Sequence, residues 1–146
     1  MKFVVFSLGT ELYGLPIEKV ERILPEMGVT KLPRTPKMFL GVFDLRGDTI
    51  PVLDARARFE MKSHEESGTF IVIMTEAGRC SLRVDRVDGI RSIDEADIQE
   101  EMGVTGGQLD DFLVGVARDG QDLIVVLEPE AILPSSMRTK MEKMAA

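Results

Sequence analysis

Two stretches of this chain repeat one another, and that repetition limits the folds open to it more than any other feature. Setting Phe70 on Phe3, a shift of 67, places Phe70-Ile71-Val72-Ile73 on Phe3-Val4-Val5-Phe6. The same shift puts Leu82 on Leu15, Val84 on Ile17, Asp85 on Glu18, Arg86 on Lys19, Val87 on Val20 and Ile90 on Ile23. Setting Gly115 on Gly41, a shift of 74, aligns Gly115-Val116 with Gly41-Val42, Ile124 with Ile50, Val126-Leu127 with Val52-Leu53 and Glu128 with Asp54. The approximate repeats span residues 3–59 and 70–133. Their apolar runs are β-branched and aromatic and are broken by turn residues, as at Gly9-Thr10-Glu11 and Arg46-Gly47-Asp48, so they read as short strands. Two β units, each too small to bury its own apolar face, are expected to pack on each other. Short, regular strands favour small closed barrels, because closure removes exposed edges. Residues 1–134 therefore read as one mainly β domain made of two similar β-barrel subdomains, followed by a tail, 135–146.

Between the strands the pattern changes in three places. Ile17, Val20 and Ile23 recur at i, i+3 and i+6 with Leu24 alongside and charged residues between, which predicts a short amphipathic helix stopped by Pro25. Asp94 to Glu101 reads as a short acidic helix, followed by a loop with Gly103, Gly106 and Gly107. In the tail, Ser135 or Ser136 can cap a helix carrying Met137, Met141 and Met144 on one stripe, suited to docking on the body.

Residue chemistry speaks against catalysis. The only histidine, His64, lies in the polar connector Met61 to Gly68, and the only cysteine, Cys80, lies in an apolar stretch where a buried, inert thiol is expected. One histidine and one cysteine make no zinc site, and neither a phosphate loop nor a dinucleotide fingerprint is present. The expectation is a protein without cofactor or metal. A formal net charge of −7 argues against nucleic acid and against an anionic membrane surface as partners. No signal peptide or membrane-spanning run is visible, which points to the cytoplasm and to no direct membrane insertion. Function then falls to surfaces.

The segment Gly41-Val42-Phe43-Asp44-Leu45-Arg46-Gly47, followed by Ile50-Pro51-Val52-Leu53-Asp54, resembles the signature of the CheW family of chemotaxis coupling proteins. Phe3 to Leu8 with Tyr13-Gly14-Leu15-Pro16-Ile17 is similar to that family's opening. Leu82 to Val87 and the pair Leu113–Val116 and Leu123–Leu127 are similar to its later elements. The resemblance covers roughly residues 3–133. Three departures stand out. Asp44 replaces the usual Asn, Ser81 and Arg83 replace a glycine and an apolar residue, and Arg22 falls where some members are acidic. An Arg22–Asp44 pair would link two of these changes.

The resemblance implies two packed five-stranded SH3-like barrels and a non-enzymatic adaptor. Its partners would be the regulatory domain of a chemotaxis histidine kinase and the cytoplasmic hairpin tip of chemoreceptors. Carried over by position, the kinase-facing residues are Gly41, Asp44, Leu45, Arg46 and Gly47, and the receptor-facing residues are Val4, Ile17, Val20 and Ile23. An Ile/Val ridge serves equally as core or as the wall of a helix-binding groove. Arg46, between Leu45 and Gly47 at a hairpin turn, is expected at the surface, where its fork suits a partner's carboxylate or backbone oxygens. Three other readings stay open. One is a coupling protein for pili or another non-flagellar output. Another is a regulatory module cut from a larger protein, although the Met1 start and the tail beyond Leu133 favour a stand-alone chain. The last is a small-ligand-binding β-barrel or an unrecognised enzyme.

Overall fold

The structure is a computed structural model, and it describes residues 1–63, 66–100 and 111–145. The first half contributes strands β1 (Lys2–Leu8), β2 (Glu11–Pro16), β3 (Val20–Pro25), β4 (Phe39–Leu45) and β5 (Asp48–Asp54), then helix α1 (Ala55–Arg58). The second half contributes β6 (Thr69–Thr75), β7 (Gly78–Val84), β8 (Arg86–Ser92), β9 (Ile98–Gln99), β10 (Leu113–Asp119) and β11 (Asp122–Leu127), then helices α2 (Pro129–Ile132) and α3 (Ser135–Ala145).

The strands form two sheets, in the orders β3-β6-β7-β5-β4 and β8-β1-β2-β11-β10-β9. The molecule is mainly β and consistent with the expected SH3-like units, although among the described residues neither sheet closes into a hydrogen-bonded barrel. On one sheet, Thr30 bridges Val42 of β4 in an isolated pair, and the chain that follows holds Pro33 and Pro36, which offer no N–H to a ladder.

Each sheet takes strands from both halves. Strand β2 runs parallel to β11, with Leu12, Tyr13 and Gly14 opposite Ile124, Val125 and Val126. In the other sheet β7 runs parallel to β5, with Ser81, Leu82 and Arg83 opposite Val52, Leu53 and Asp54. The hairpin that opens each half is thus built into the sheet completed by the other half.

The stretch from Ile17 is not the expected helix. One 3-10 turn, Ile17–Lys19, leads into β3, which pairs antiparallel with β6. Val20 lies opposite Ile73 and Ile23 opposite Ile71, with a bulge between Val20 and Arg22. The extra residue resets the alternation, so Val20 and Ile23 share one face at a spacing of three. That spacing imitated a helix. A matching irregularity in β8 sets Val87 opposite Phe6 and Ile90 opposite Val4. The acidic stretch also departs from a helix: Glu95–Asp97 is a 3-10 turn, and Ile98–Gln99 is strand β9. His64, Glu101 and the Gly103–Gly107 loop lie outside the described residues.

Strand β1 is apolar at nearly every position because both of its faces are covered. Phe3 and Val5 join Ala117, Ile124 and Val126 in a satellite cluster, while Phe6 and Leu8 enter the large central cluster. That central cluster takes Tyr13 and Leu15 from one sheet and Leu53, Ile71, Ile73, Cys80 and Leu82 from the other, with Met137 and Met141 of α3. A second satellite holds Phe43, Ile50, Val52, Phe70 and Val72.

A polar clamp crosses the same junction. Asp54 caps α1 by accepting from the Arg56 N–H at 3.2 Å. Arg56 then binds Asp85 through both carboxylate oxygens, with Nε to Oδ1 at 2.8 Å, and Gly9 N donates to Asp85 Oδ2 at 2.7 Å. Both side chains are largely buried, at 11% and 13% exposure. The equivalent position carries the opposite charge. Glu130 on α2, whose N–H is capped by Glu128, accepts from Glu76 N at 3.1 Å, and Lys19 approaches to 3.9 Å.

Ser81 Oγ is buried with no hydrogen-bond partner among the described residues. Ser81→Ala is expected to raise stability by about 1 kcal/mol by removing an unmet hydroxyl. Arg56→Ala, which removes the guanidinium from the largely buried Asp85 carboxylate, is expected to lower it by about 3 kcal/mol. Denaturant midpoints of the two variants and the parent check both signs.

Candidate functional site

The β4–β5 hairpin divides the five residues assigned to the kinase side into two kinds. Gly41 is buried, at φ +142, and a Cβ there would sit 2.3 Å from the carbonyl oxygen of Thr30. Its role is to let the chain at Thr30 approach, so that Thr30 N and Val42 O pair at 2.7 Å. Gly41 therefore shapes the hairpin from inside. Beyond it, Phe43 points into the satellite core and Leu45 packs partly buried against it, which turns Asp44 outward.

Leu45 pairs with Asp48, so the loop is two residues long. Arg46 and Gly47 both have positive φ, +52 and +89, as a tight type I′ hairpin requires. Asn or Gly is the usual first residue of such a turn, and arginine is strained there. Arg46 and Asp44 are both exposed, and their side chains make no ion pair or hydrogen bond among the described residues. Their neighbour Asp48 is held by Arg79, which also reaches Glu21 at 3.3 Å. The expected Arg22–Asp44 pair does not form. Arg22 lies opposite Val72 on the core-facing side of its sheet, whereas Asp44 points away from that core.

The four residues assigned to the receptor side are also unequal. Val4 is only 2% exposed, opposite Leu15 and Ile90. Ile17 is partly buried in the turn that touches both β1 and β6. Val20 packs partly buried on the central cluster, and Ile23 is 43% exposed on the same face of the edge strand β3. Sequence reasoning passed over Ile90, which is 59% exposed on the edge strand β8. The signal was present, since the repeat sets Ile90 on Ile23.

Of the other departures, Ser81 is buried and Arg83 is bound within the chain. Ser81 is fully buried. Arg83 Nε binds Glu26 Oε1 at 2.6 Å, and its Nη2 donates to the carbonyl of Glu66 at 2.7 Å.

Neither Cys80 nor Tyr13 is activated. Burial pushes the Cys80 thiol well above its ordinary range, and burial together with the Glu11 carboxylate does the same for Tyr13. Among the described residues no group of three or more His, Cys, Asp or Glu is placed to hold a metal ion, and no helix is long and apolar enough to cross a membrane.

The family model for the CheW-like domain matches residues 2–137. The chain belongs to the CheW-like domain family. The chemotaxis protein CheW of Treponema pallidum (strain Nichols) is 27% identical over 146 residues, covering 96% of this chain and 86% of its own. That of Klebsiella aerogenes is 27% identical over 146 residues, covering 99% and 88%. Among solved structures, the scaffolding protein TtCheW from Thermoanaerobacter tengcongensis superposes with a TM-score of 0.82 at 33% identity, covering 90% of each chain. CheW-like proteins are non-catalytic scaffolds, and this chain is accordingly an adaptor that couples chemoreceptors to the chemotaxis histidine kinase.

The two kinds of hairpin residue should separate on substitution. Gly41→Ala is expected to cost about 2 kcal/mol or more, because the added Cβ meets backbone. Arg46→Asn is expected to leave stability unchanged or raise it by about 0.5 kcal/mol, since Asn tolerates the left-handed turn. Thermal unfolding of both variants reads the difference.

Proposed function

We propose that this CheW-like chain couples its partners through two separate surfaces on one rigid body, working in the cytoplasm. The kinase regulatory domain docks on the tip of the β4–β5 hairpin, with Arg46 as the principal contact, Asp44 and Leu45 beside it, and Gly41 and Gly47 shaping the turn. The observation that carries this reading is Arg46 itself, a strained, exposed arginine with no partner among the described residues at the tip of a tight hairpin. A strained residue with nothing to hold inside the chain points to a role outside it.

The receptor hairpin docks along the rim between the two sheets. Ile17, Val20 and Ile23 form one wall and Ile90 the other, with the buried Val4 in register with Ile90. Two exposed isoleucines on edge strands that border the central cluster are suited to the apolar face of a helix. The single domain, 1–134, consists of two similar units that arose by duplication. This is supported by the bulges and registers that recur at the shifts of 67 and 74.

Calorimetric titration tests the assignment. Arg46→Ala is expected to weaken binding of the cognate kinase regulatory domain by about tenfold or more and leave the receptor hairpin unaffected. Ile23→Asp combined with Ile90→Asp is expected to show the reverse pattern, with little change in melting temperature because both side chains are exposed. Equal losses against both partners would defeat the two-surface reading.

A further inference from the structure

Among the departures from the family pattern, Asp44 is the one that the fold leaves exposed. The β4–β5 hairpin and its end carry four charged side chains, and the other two acids are engaged: Asp48 by Arg79, and Asp54 by the N-terminus of α1. Asp44 and Arg46 remain, two residues apart, both exposed and both without an ion pair among the described residues. Arg22, the partner expected from the sequence, faces the other side of the sheet. An exposed, unpaired carboxylate adds little to folding stability, so the consequence of placing a charge at residue 44 falls on whatever docks there.

The position is a charge-bearing one elsewhere in the same molecule, with the opposite sign. At the shift of 74, Arg118 on β10 occupies the place of Asp44 on β4. It pairs in register with Leu123, as Asp44 pairs with Thr49, and it too is exposed without an ion pair among the described residues. The two hairpins thus present unlike charges at equivalent positions of matching strand registers.

We infer that Asp44 is a specificity residue of the kinase-docking surface, and that the regulatory domain this chain serves places an arginine or lysine opposite it. This inference rests on the assignment of the β4–β5 hairpin to the kinase. A free anion and a free cation side by side match a partner carrying the reverse pair in one register only, and they repel a partner with an acid facing residue 44. Asp44 therefore narrows the choice of kinase, while Arg46 supplies the contact.

The test titrates the full chain with its cognate kinase regulatory domain, comparing the parent, Asp44→Asn, Asp44→Lys and Arg46→Ala at low and high salt. Asp44→Asn is expected to weaken binding about three- to tenfold at low salt and to flatten the salt dependence, and Asp44→Lys to weaken it further, with melting temperatures unchanged. Asp44→Asn binding like the parent at both salts, while Arg46→Ala still weakens the complex, would overturn the inference and leave the hairpin assignment standing. If neither position matters, the hairpin assignment falls, and the inference with it. Self-association of the chain alone that is lost in both Asp44→Asn and Arg118→Ala would make the facing cation the chain's own Arg118. That outcome would also overturn kinase selection.

Discussion

The parallel pairings of β2 with β11 and of β5 with β7 hold this molecule in its shape. Each is a short ladder between strands far apart in sequence, and each joins one half's opening hairpin to the other half's closing hairpin. Without them neither half has a finished sheet, and the central cluster, fed by residues from both sheets, has no walls. Long-range ladders of this kind form only when most of the chain is in place, so the body is expected to fold and unfold as a unit. The Arg56–Asp85–Gly9 clamp sits on this junction and fixes its geometry, although the buried apolar surface supplies most of the stability.

An adaptor benefits from that construction. The β4–β5 hairpin is held by β7, a strand from the other half, and β3 is held by β6 in the same way. The two proposed docking surfaces are therefore not loops on separate modules. They are parts of interlocked sheets, so the angle between two bound partners is set by packing rather than by a linker. The 3-10 turn Ile17–Lys19, in contact with both β1 and β6, lies where the two sheets meet.

Much of this was legible in the sequence, for physical reasons that also explain the exceptions. β-branched runs with turn residues between them identify strands because local propensity and burial agree, and the Gly41–Gly47 segment identified the hairpin and its exposed arginine. The stretch from Ile17 misled because a bulge gives a strand the spacing of a helix, and a bulge is set by the partner strand, not by local composition. The exchange of hairpins between sheets is invisible for the same reason, since parallel pairing across the chain leaves no local signal. A motif does not say which of its members face inward, and Gly41 is one that does. The Arg22–Asp44 pair failed on sheet parity, which the shifted register at Glu21 decides. Ile90 could have been found from the repeat alone.

The central claim is that one rigid body carries two independent surfaces. Methyl-resolved NMR of the full chain, titrated first with the kinase regulatory domain and then with a receptor hairpin, tests it most directly. The account predicts that the kinase domain perturbs Val42 and Leu45, that the receptor hairpin perturbs Ile17, Val20, Ile23 and Ile90, and that the second partner binds without displacing the first. Overlapping perturbations, or displacement of one partner by the other, would contradict it.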